Sequence, residues 1–113
     1  MSYKISFSQD FDLGFKTQDF PVELKDKSYG NDICPSFYFK IKDQYFVLWV
    51  NHKEKNLRED SETKRYILTN GVNLGESEHL EIYDDCNKTE ILMTDSINKV
   101  EIAIHKILVS AET

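Results

Sequence analysis

Two neighbouring stretches of alternating apolar and polar residues dominate the hydrophobic pattern of this chain. They run from Ser36 to Lys42 and from Tyr45 to Asn51, and they hold the densest group of aromatic residues in the sequence. Alternation with a period of two is typical of β-strands, so the two stretches predict a β-hairpin with its turn at Asp43 and Gln44. The predicted cross-strand pairs, which share one apolar face, are Ile41–Phe46, Phe39–Leu48 and Phe37–Val50. This face is predicted to form the core of the domain.

The opposite face of the predicted hairpin carries Tyr38 and Trp49, which the same register places opposite one another, together with Tyr45 and Val47. Aromatic residues exposed on a sheet are typical anchors for a binding partner. Large aromatic side chains are mostly buried, however. We therefore expect another layer, such as the C-terminal helix or the N-terminal segment, to cover this face.

Shorter alternating segments predict further strands at Lys4–Ser8, Phe20–Leu24, Arg65–Thr69, His79–Tyr83 and Thr89–Met93. The segment that contains Pro21 is expected at a sheet edge, where a missing N–H is tolerated. Asn70-Gly71 is a strong turn dipeptide and predicts the end of one strand. Residues 52–64 are almost wholly polar and predict a long exposed loop, in which Leu57 is the one apolar residue.

The apolar period becomes helical at the end of the chain. The residues that recur on one side at helical spacing are Ile97, Val100, Ala103, Ile104, Ile107, Leu108 and Ala111. Thr94, Asp95 and Ser96 are candidates for the N-cap of this helix. Strands followed by a helix predict an α+β fold, in which a meander-like antiparallel sheet of about five to six strands packs against a C-terminal α-helix.

The composition restricts the function classes. The length of 113 residues predicts one globular domain over residues 1–113. Asp and Glu number 20 against 14 Lys and Arg, which gives a net charge of −6. Such a balance argues against direct nucleic-acid binding and against anionic membranes. It can attract a basic protein, although the simplest interpretation is that the excess charge keeps the protein soluble. No apolar run approaches the roughly 18 residues of a membrane span and the N-terminus lacks a signal-peptide pattern, so we expect a cytoplasmic protein.

The residues that carry chemistry are few and scattered. Cys34 and Cys86 match no metal or redox spacing and are expected to be unpaired thiols in a reducing cytosol, although a disulfide between them stays open. His52, His79 and His105 add too few ligands for a zinc site. No nucleophile or phosphate-loop motif is present. We therefore predict no catalytic residue, cofactor or metal.

Acidic residues are most concentrated after the hairpin, at Glu81, Asp84, Asp85 and Glu90. Two of these carboxylates could act as general acid and base if one were desolvated, or the group could neutralise basic residues of a partner. The simplest interpretation is a solvated hairpin tip. In the polar loop the carboxylates alternate with Lys and Arg, which suggests that this loop balances its own charge.

Four short motifs resemble those of small cytosolic bacterial immunity proteins, which protect against toxins, including those of contact-dependent growth inhibition. The motifs are Leu48-Trp-Val-Asn51, Leu57-Arg-Glu59, Lys64-Arg-Tyr66 and Met93-Thr-Asp95 with the helix that follows. The resemblance extends from roughly Phe37 to Leu108, and Asn51 stands where such proteins have Asp. It implies a small protein without cofactors that binds a toxin domain and covers its active site. Toxins that cut nucleic acid are commonly basic, which suits an acidic inhibitor.

The first hypothesis is therefore an immunity protein that neutralises a cognate, basic toxin domain. Its expected partner-binding residues are an acidic tip and a second contact in the polar loop: Glu78, Glu81, Asp84 and Asp85, with Glu59 and Asp60. A second hypothesis is a small enzyme that uses a carboxylate pair with His79. A third is a structural or adaptor domain, such as a homodimer formed through a strand edge or the Trp49 face. The identity of the toxin and the oligomeric state stay open.

Overall fold

The computed structural model describes residues 12–26, 35–58, 62–85 and 87–112. Its elements are β1 Lys25–Asp26, β2 Ser36–Ile41, β3 Gln44–Val50, β4 Tyr66–Asn73, β5 Ile82–Asp84, β6 Leu92–Thr94 and α1 Ile97–Glu112. Short 3-10 turns span Thr17–Asp19 and Lys55–Leu57. The predicted α+β class, a sheet of five to six strands with one C-terminal helix, is confirmed. The predicted strand at Lys4–Ser8 and both cysteines lie outside the described residues.

The sheet is antiparallel, with strand order β1-β2-β3-β4-β5, and β6 also pairs with β4. β5 pairs with the last residues of β4, Gly71–Asn73, whereas β6 pairs with its first residues, Tyr66–Leu68. β5 and β6 therefore follow one another along the same edge of β4.

The register of the β2–β3 hairpin differs from the prediction by two residues. Lys42 and Asp43 form the turn, with Lys42 in the left-handed region at φ 54°. The observed pairs on the core face are Phe39–Phe46 and Phe37–Leu48, so the predicted turn and the three predicted pairs were wrong. Because side chains alternate with a period of two, a shift of two residues returns each side chain to its original face. The predicted apolar face is therefore correct although its pairs are not.

This apolar face is the core of the protein. The sheet residues buried on it are Phe37, Phe39, Ile41, Phe46, Leu48, Val50, Tyr66 and Leu68. Val100 and Ile104 of α1 are fully buried against them, and Leu13 and Phe20 of the N-terminal segment join the same cluster. The rings of Phe39 and Phe46 stack with their centroids 5.2 Å apart.

The opposite face of the sheet is not where the helix packs. Tyr38 and Trp49 share that face as predicted, but Tyr38 pairs with Val47 and Trp49 with Ser36, so they are not opposite one another. Both aromatic side chains are half-buried. Of the two layers expected to cover them, α1 does not, because the apolar side of the helix matches the more apolar face of the hairpin. Residues 1–11 of the N-terminal segment lie outside the described residues.

Asn70 and Gly71 lie inside β4, so the turn predicted at this dipeptide was wrong. Gly71 is buried, and a Cβ there would lie 3.2 Å from a Val47 methyl group and 3.3 Å from Ile82 Cγ2. Its φ is outside the left-handed region that a primed turn requires. The glycine is needed here for close approach of neighbouring side chains in the sheet.

The shorter strands lie later in the chain than predicted. The edge strand expected at Phe20–Leu24 is the two-residue β1, which does lie at one end of the sheet. The strand expected at His79–Tyr83 is β5, and the strand expected at Thr89–Met93 is β6. Residues 79–81 belong instead to the loop before β5, whose backbone groups bond within that loop and to Asn73.

The N-terminal segment is attached to the start of β4 by polar contacts. The buried Tyr66 hydroxyl donates to the Leu13 carbonyl at 2.7 Å, and Arg65 Nη2 donates to the Asp12 carbonyl at 2.7 Å. Gly14, which follows Asp12 and Leu13 in the chain, has φ +81°, and a Cβ there would overlap the Tyr66 hydroxyl. Burial raises the pKa of Tyr66, partly offset by the positive charge of Arg65.

Candidate functional site

The β4–β5 hairpin carries most of the predicted site residues. Its ladder extends beyond both ends of β5, because the Leu74 N–H donates to the Glu81 carbonyl at 2.9 Å and the Asp85 N–H donates to the Asn70 carbonyl at 2.8 Å. Residue pairing therefore continues in one register from Asn70–Asp85 to Leu74–Glu81. Five consecutive residues of this edge, 81–85, have fixed orientations relative to β4.

The loop that joins the two strands is held by its own hydrogen bonds. The Asn73 Oδ1 atom accepts from the Gly75 N–H at 2.9 Å and from the Glu81 N–H at 3.0 Å. Glu76 and His79 exchange backbone hydrogen bonds of 3.0 and 3.2 Å. The loop thus presents a defined conformation in which the side chains of Glu76, Glu78 and His79 are exposed.

Alternation along residues 81–85 places an aromatic residue between two carboxylates. Glu81, Tyr83 and Asp85 lie on one face, and Leu74 lies beside them as the partner of Glu81. Leu74 is 66% exposed and Tyr83 is 45% exposed, both high values for large apolar side chains. We call these four residues, Leu74, Glu81, Tyr83 and Asp85, the hairpin face.

Asp84 points to the other side of the sheet. The Trp49 indole N–H donates to both carboxylate oxygens of Asp84, each at 3.0 Å, and the Thr69 hydroxyl donates to its Oδ1 atom at 3.2 Å. Thr69 is buried and Asp84 is exposed. Asp84 therefore ties the edge strand β5 to β3 and β4 across the face that carries Trp49.

The predicted acidic tip is thus distributed over three places. Glu78 lies in the loop before β5, Glu81 and Asp85 belong to the hairpin face, and Asp84 lies on the opposite face. Glu59 and Asp60, the predicted second contact, lie outside the described residues. The contribution of Leu74 and Tyr83 was missed, although the acid–aromatic–acid alternation at positions 81, 83 and 85 is visible in the sequence.

Sequence reasoning also missed the role of Arg58, which it treated as one charge of a self-balancing loop. The Arg58 side chain is 3% exposed and donates to the carbonyls of His52, Lys53 and Thr63 at 2.7, 3.3 and 2.6 Å. Its Nη1 atom also lies 3.3 Å from the Asp95 carboxylate. Arg58 therefore closes the described ends of the 52–64 loop around itself and ties them to the residues before α1.

The Asp95 carboxylate links this loop to β4. Its Oδ1 atom accepts from the Arg65 N–H at 2.8 Å as well as from Arg58. The hydrogen bond from Arg65, together with the hydrogen bond and charge of Arg58, lowers the pKa of Asp95 against a smaller opposing effect of burial. Asp95, one of three candidates for the N-cap, therefore stabilises the loop and the start of β4.

Described residues line two cavities in which a catalytic carboxylate would have to lie if the protein were an enzyme. A polar cavity of about 120 Å³ is lined by Lys55, Glu62, Thr63, Lys64 and Asp95. A concavity of about 510 Å³ on the helix is lined by Ile102, His105, Lys106, Val109 and Ser110. A carboxylate that acts as a general acid typically has a raised pKa, whereas the pKa of Asp95 in the first cavity is lowered. The second cavity has no carboxylate among its described lining residues.

No protein-family model, curated protein or solved structure matches this chain. Among the described residues, no group of three or more His, Cys, Asp or Glu side chains is arranged to hold a metal ion. None of the helices in the described ranges is long and apolar enough to cross a membrane.

Proposed function

We propose that this protein is a cytoplasmic immunity protein that binds a cognate bacterial toxin domain, a basic nuclease, and blocks its active site. The observation that carries the proposal is the hairpin face, where the exposed Tyr83 lies between the carboxylates of Glu81 and Asp85 and the exposed Leu74 lies beside Glu81. Protein interfaces are typically built from a few aromatic or apolar anchors within a polar rim. A rim of carboxylates selects a partner surface rich in Lys and Arg.

The net charge of −6 supports the same proposal. A negative inhibitor and a positive nuclease attract one another over several ångströms, which raises the association rate by about 10- to 1000-fold over that of neutral proteins. Rapid association suits an inhibitor that must capture its toxin before nucleic acid is cut. The hydrogen bonds within the 74–81 loop support tight binding, since a surface that is already ordered loses less entropy on association.

The proposal is tested by affinity capture with the tagged protein from its own cells, with elution by a salt gradient. The expected result is one basic protein that is released at high salt, is toxic when expressed alone and is harmless when co-expressed with this protein. Failure of the captured protein to be toxic, or failure of co-expression to rescue growth, would reject the immunity function. Sedimentation at several protein concentrations tests the alternative of a homodimeric adaptor.

A pair of matched double variants locates the contact. Glu81→Gln with Asp85→Asn removes two charges from the hairpin face, and Glu76→Gln with Glu90→Gln removes two charges from exposed positions outside it. Both double variants change the net charge equally. Rescue of growth is expected to be lost only with the first, whereas equal effects would show that overall charge, and not the hairpin face, determines neutralisation.

A further inference from the structure

β5 has an open side. It pairs with β4 along one side, and within the described ranges no strand pairs with the other. The backbone groups of Glu81 and Asp85 point towards β4, as their hydrogen bonds to Leu74 and Asn70 show. Because the direction alternates along an antiparallel strand, the N–H and C=O groups of Ile82 and Asp84 point away from the sheet. These outward groups form a short template for another strand.

The charges along β5 determine which kind of strand can pair with its open side. If two copies of this chain paired antiparallel through β5 about Tyr83, Glu81 of each copy would lie opposite Asp85 of the other, and like charges in cross-strand positions are destabilising. An extended segment with Lys or Arg at those positions would instead form opposite-charge pairs. Tyr83, 45% exposed between the two carboxylates of the hairpin face, offers a contact for an apolar side chain of that segment.

We propose that β5 binds an extended basic segment of the partner protein by strand addition, with Ile82 and Asp84 supplying the backbone hydrogen bonds. This inference rests on the proposed function and names the binding mode of its site. Main-chain hydrogen bonds supply affinity in this mode, and alternate side chains supply specificity. The carboxylates of Glu81 and Asp85 that attract the segment also disfavour pairing of β5 with a second copy of this chain.

The register of β5 defines a complementary peptide. An antiparallel segment needs basic residues opposite Asp85, Asp84 and Glu81 and apolar residues opposite Tyr83 and Ile82. The probe is acetyl-Ser-Lys-Arg-Val-Val-Lys-Ser-amide, and its charge-reversed control is acetyl-Ser-Glu-Asp-Val-Val-Glu-Ser-amide. Binding is followed by NMR chemical shifts of the full chain at millimolar peptide concentrations, together with hydrogen exchange of the Ile82 and Asp84 amides.

N-methylation separates strand addition from contacts of side chains alone. Methylation of the arginine and second valine amides of the probe removes the N–H groups that face Ile82 and Asp84, whereas methylation of the first valine and second lysine amides changes only the far side. The peptide methylated at the arginine and the second valine is expected to bind about tenfold more weakly than the peptide methylated on its far side, since two backbone hydrogen bonds are lost. Hydrogen exchange of the Ile82 and Asp84 amides is expected to slow only when the peptide methylated on its far side is added.

Equal binding of the two methylated peptides, equal binding of the charge-reversed control, or no binding of the unmodified probe would each overturn strand addition. The variant with Glu81→Lys and Asp85→Lys is expected to prefer the charge-reversed control, whereas Glu76→Lys with Glu90→Lys is expected to keep the original preference. These measurements need no toxin. Their failure would leave the capture and rescue results unaffected, so the binding mode and the immunity function fail separately.

Discussion

Arg58 and Asp95 form an ion pair of 3.3 Å in which the arginine side chain is buried and the carboxylate is 42% exposed. The two residues lie 37 positions apart in the chain, so the contact joins the segment after β3 to the residues before α1. Arg58 also bonds to three backbone carbonyls. The segment is almost wholly polar and cannot be held by apolar packing, so the hydrogen bonds of this one side chain hold it in place.

Arg58→Ala is expected to lower the free energy of unfolding by about 2–4 kcal/mol, because three partly buried carbonyls and Asp95 lose their partner. Urea denaturation measures the change. Lys55→Ala, a substitution of an exposed cation in the same loop, is expected to change stability by less than about 0.5 kcal/mol. Similar losses for the two variants would mean that Arg58 contributes only as a surface charge.

The lowered pKa of Asp95 predicts the direction of a pH effect. The unfolded chain takes up a proton near the ordinary value of 3.8, whereas the folded chain does so at lower pH. The stabilisation from Asp95 is therefore present above that ordinary value and is lost as pH falls through the folded pKa. Asp95→Asn should be less stable than the wild type at neutral pH, and the difference should shrink in acid. A difference independent of pH would contradict this assignment.

Gly14→Ala is expected to destabilise the protein by about 1–3 kcal/mol, since alanine is strained at φ +81° and its Cβ would overlap the Tyr66 hydroxyl. Tyr66→Phe removes that hydroxyl and its bond to Leu13, at a cost of about 1 kcal/mol. In the double variant the overlap is relieved. Its loss of stability should therefore be smaller than the sum of the losses of the two single variants. Additive effects in urea denaturation would show that the hydroxyl is not the obstacle.

Asp84 and Asp85 are adjacent but should respond differently to substitution. Asp84→Ala leaves the buried Thr69 hydroxyl and the Trp49 indole N–H without the acceptor they share. We expect it to shift the fluorescence of this single tryptophan and to speed hydrogen exchange in β5. Asp85→Ala, which removes an acceptor for the Asn87 N–H in a turn, should leave the Trp49 signal unchanged. Equal spectra of both variants would contradict the placement of Asp84.

The apolar and acidic members of the hairpin face should affect binding kinetics in different ways. Leu74→Ala and Tyr83→Ala remove desolvated contact area and are expected mainly to raise the dissociation rate from the captured toxin. Glu81→Gln and Asp85→Asn are expected mainly to lower the association rate and its dependence on salt. Surface plasmon resonance at two ionic strengths separates these effects. The assignment of anchors fails if the leucine and tyrosine variants dissociate at the wild-type rate.

The fold class follows from periodicity, whereas the register does not. Apolar alternation identifies the buried face of β2 and β3, yet it is satisfied equally by two registers that differ by two residues. The choice between them depends on Lys42 adopting a left-handed conformation, which no apolar pattern encodes. Gly71 shows a similar ambiguity, because a glycine after asparagine serves a tight turn and a close side-chain approach equally well.

The candidate site was only partly predictable. The acidic residues could be located from composition, but the division of Asp84 and Asp85 between the two faces depends on the strand continuing to Asp85, and the sequence-based prediction ended that strand at Tyr83. The role of Arg58 could not be predicted at all, because its partners are backbone carbonyls and a carboxylate distant in sequence. In the same segment Leu57, its one apolar residue, is 58% exposed.

The interruption between β5 and β6 has an evolutionary consequence. The chain leaves the edge of β4 at Asp85, opposite Asn70, and returns at Ile91, whose N–H bonds to Leu68. Those two positions on β4 are separated by only about 7 Å, so an insertion there closes a loop whose ends already meet, at little entropic cost. Residues can be gained or lost between the two strands without moving either one. The connection beside β5 can therefore vary in length between lineages while the hydrophobic core stays constant.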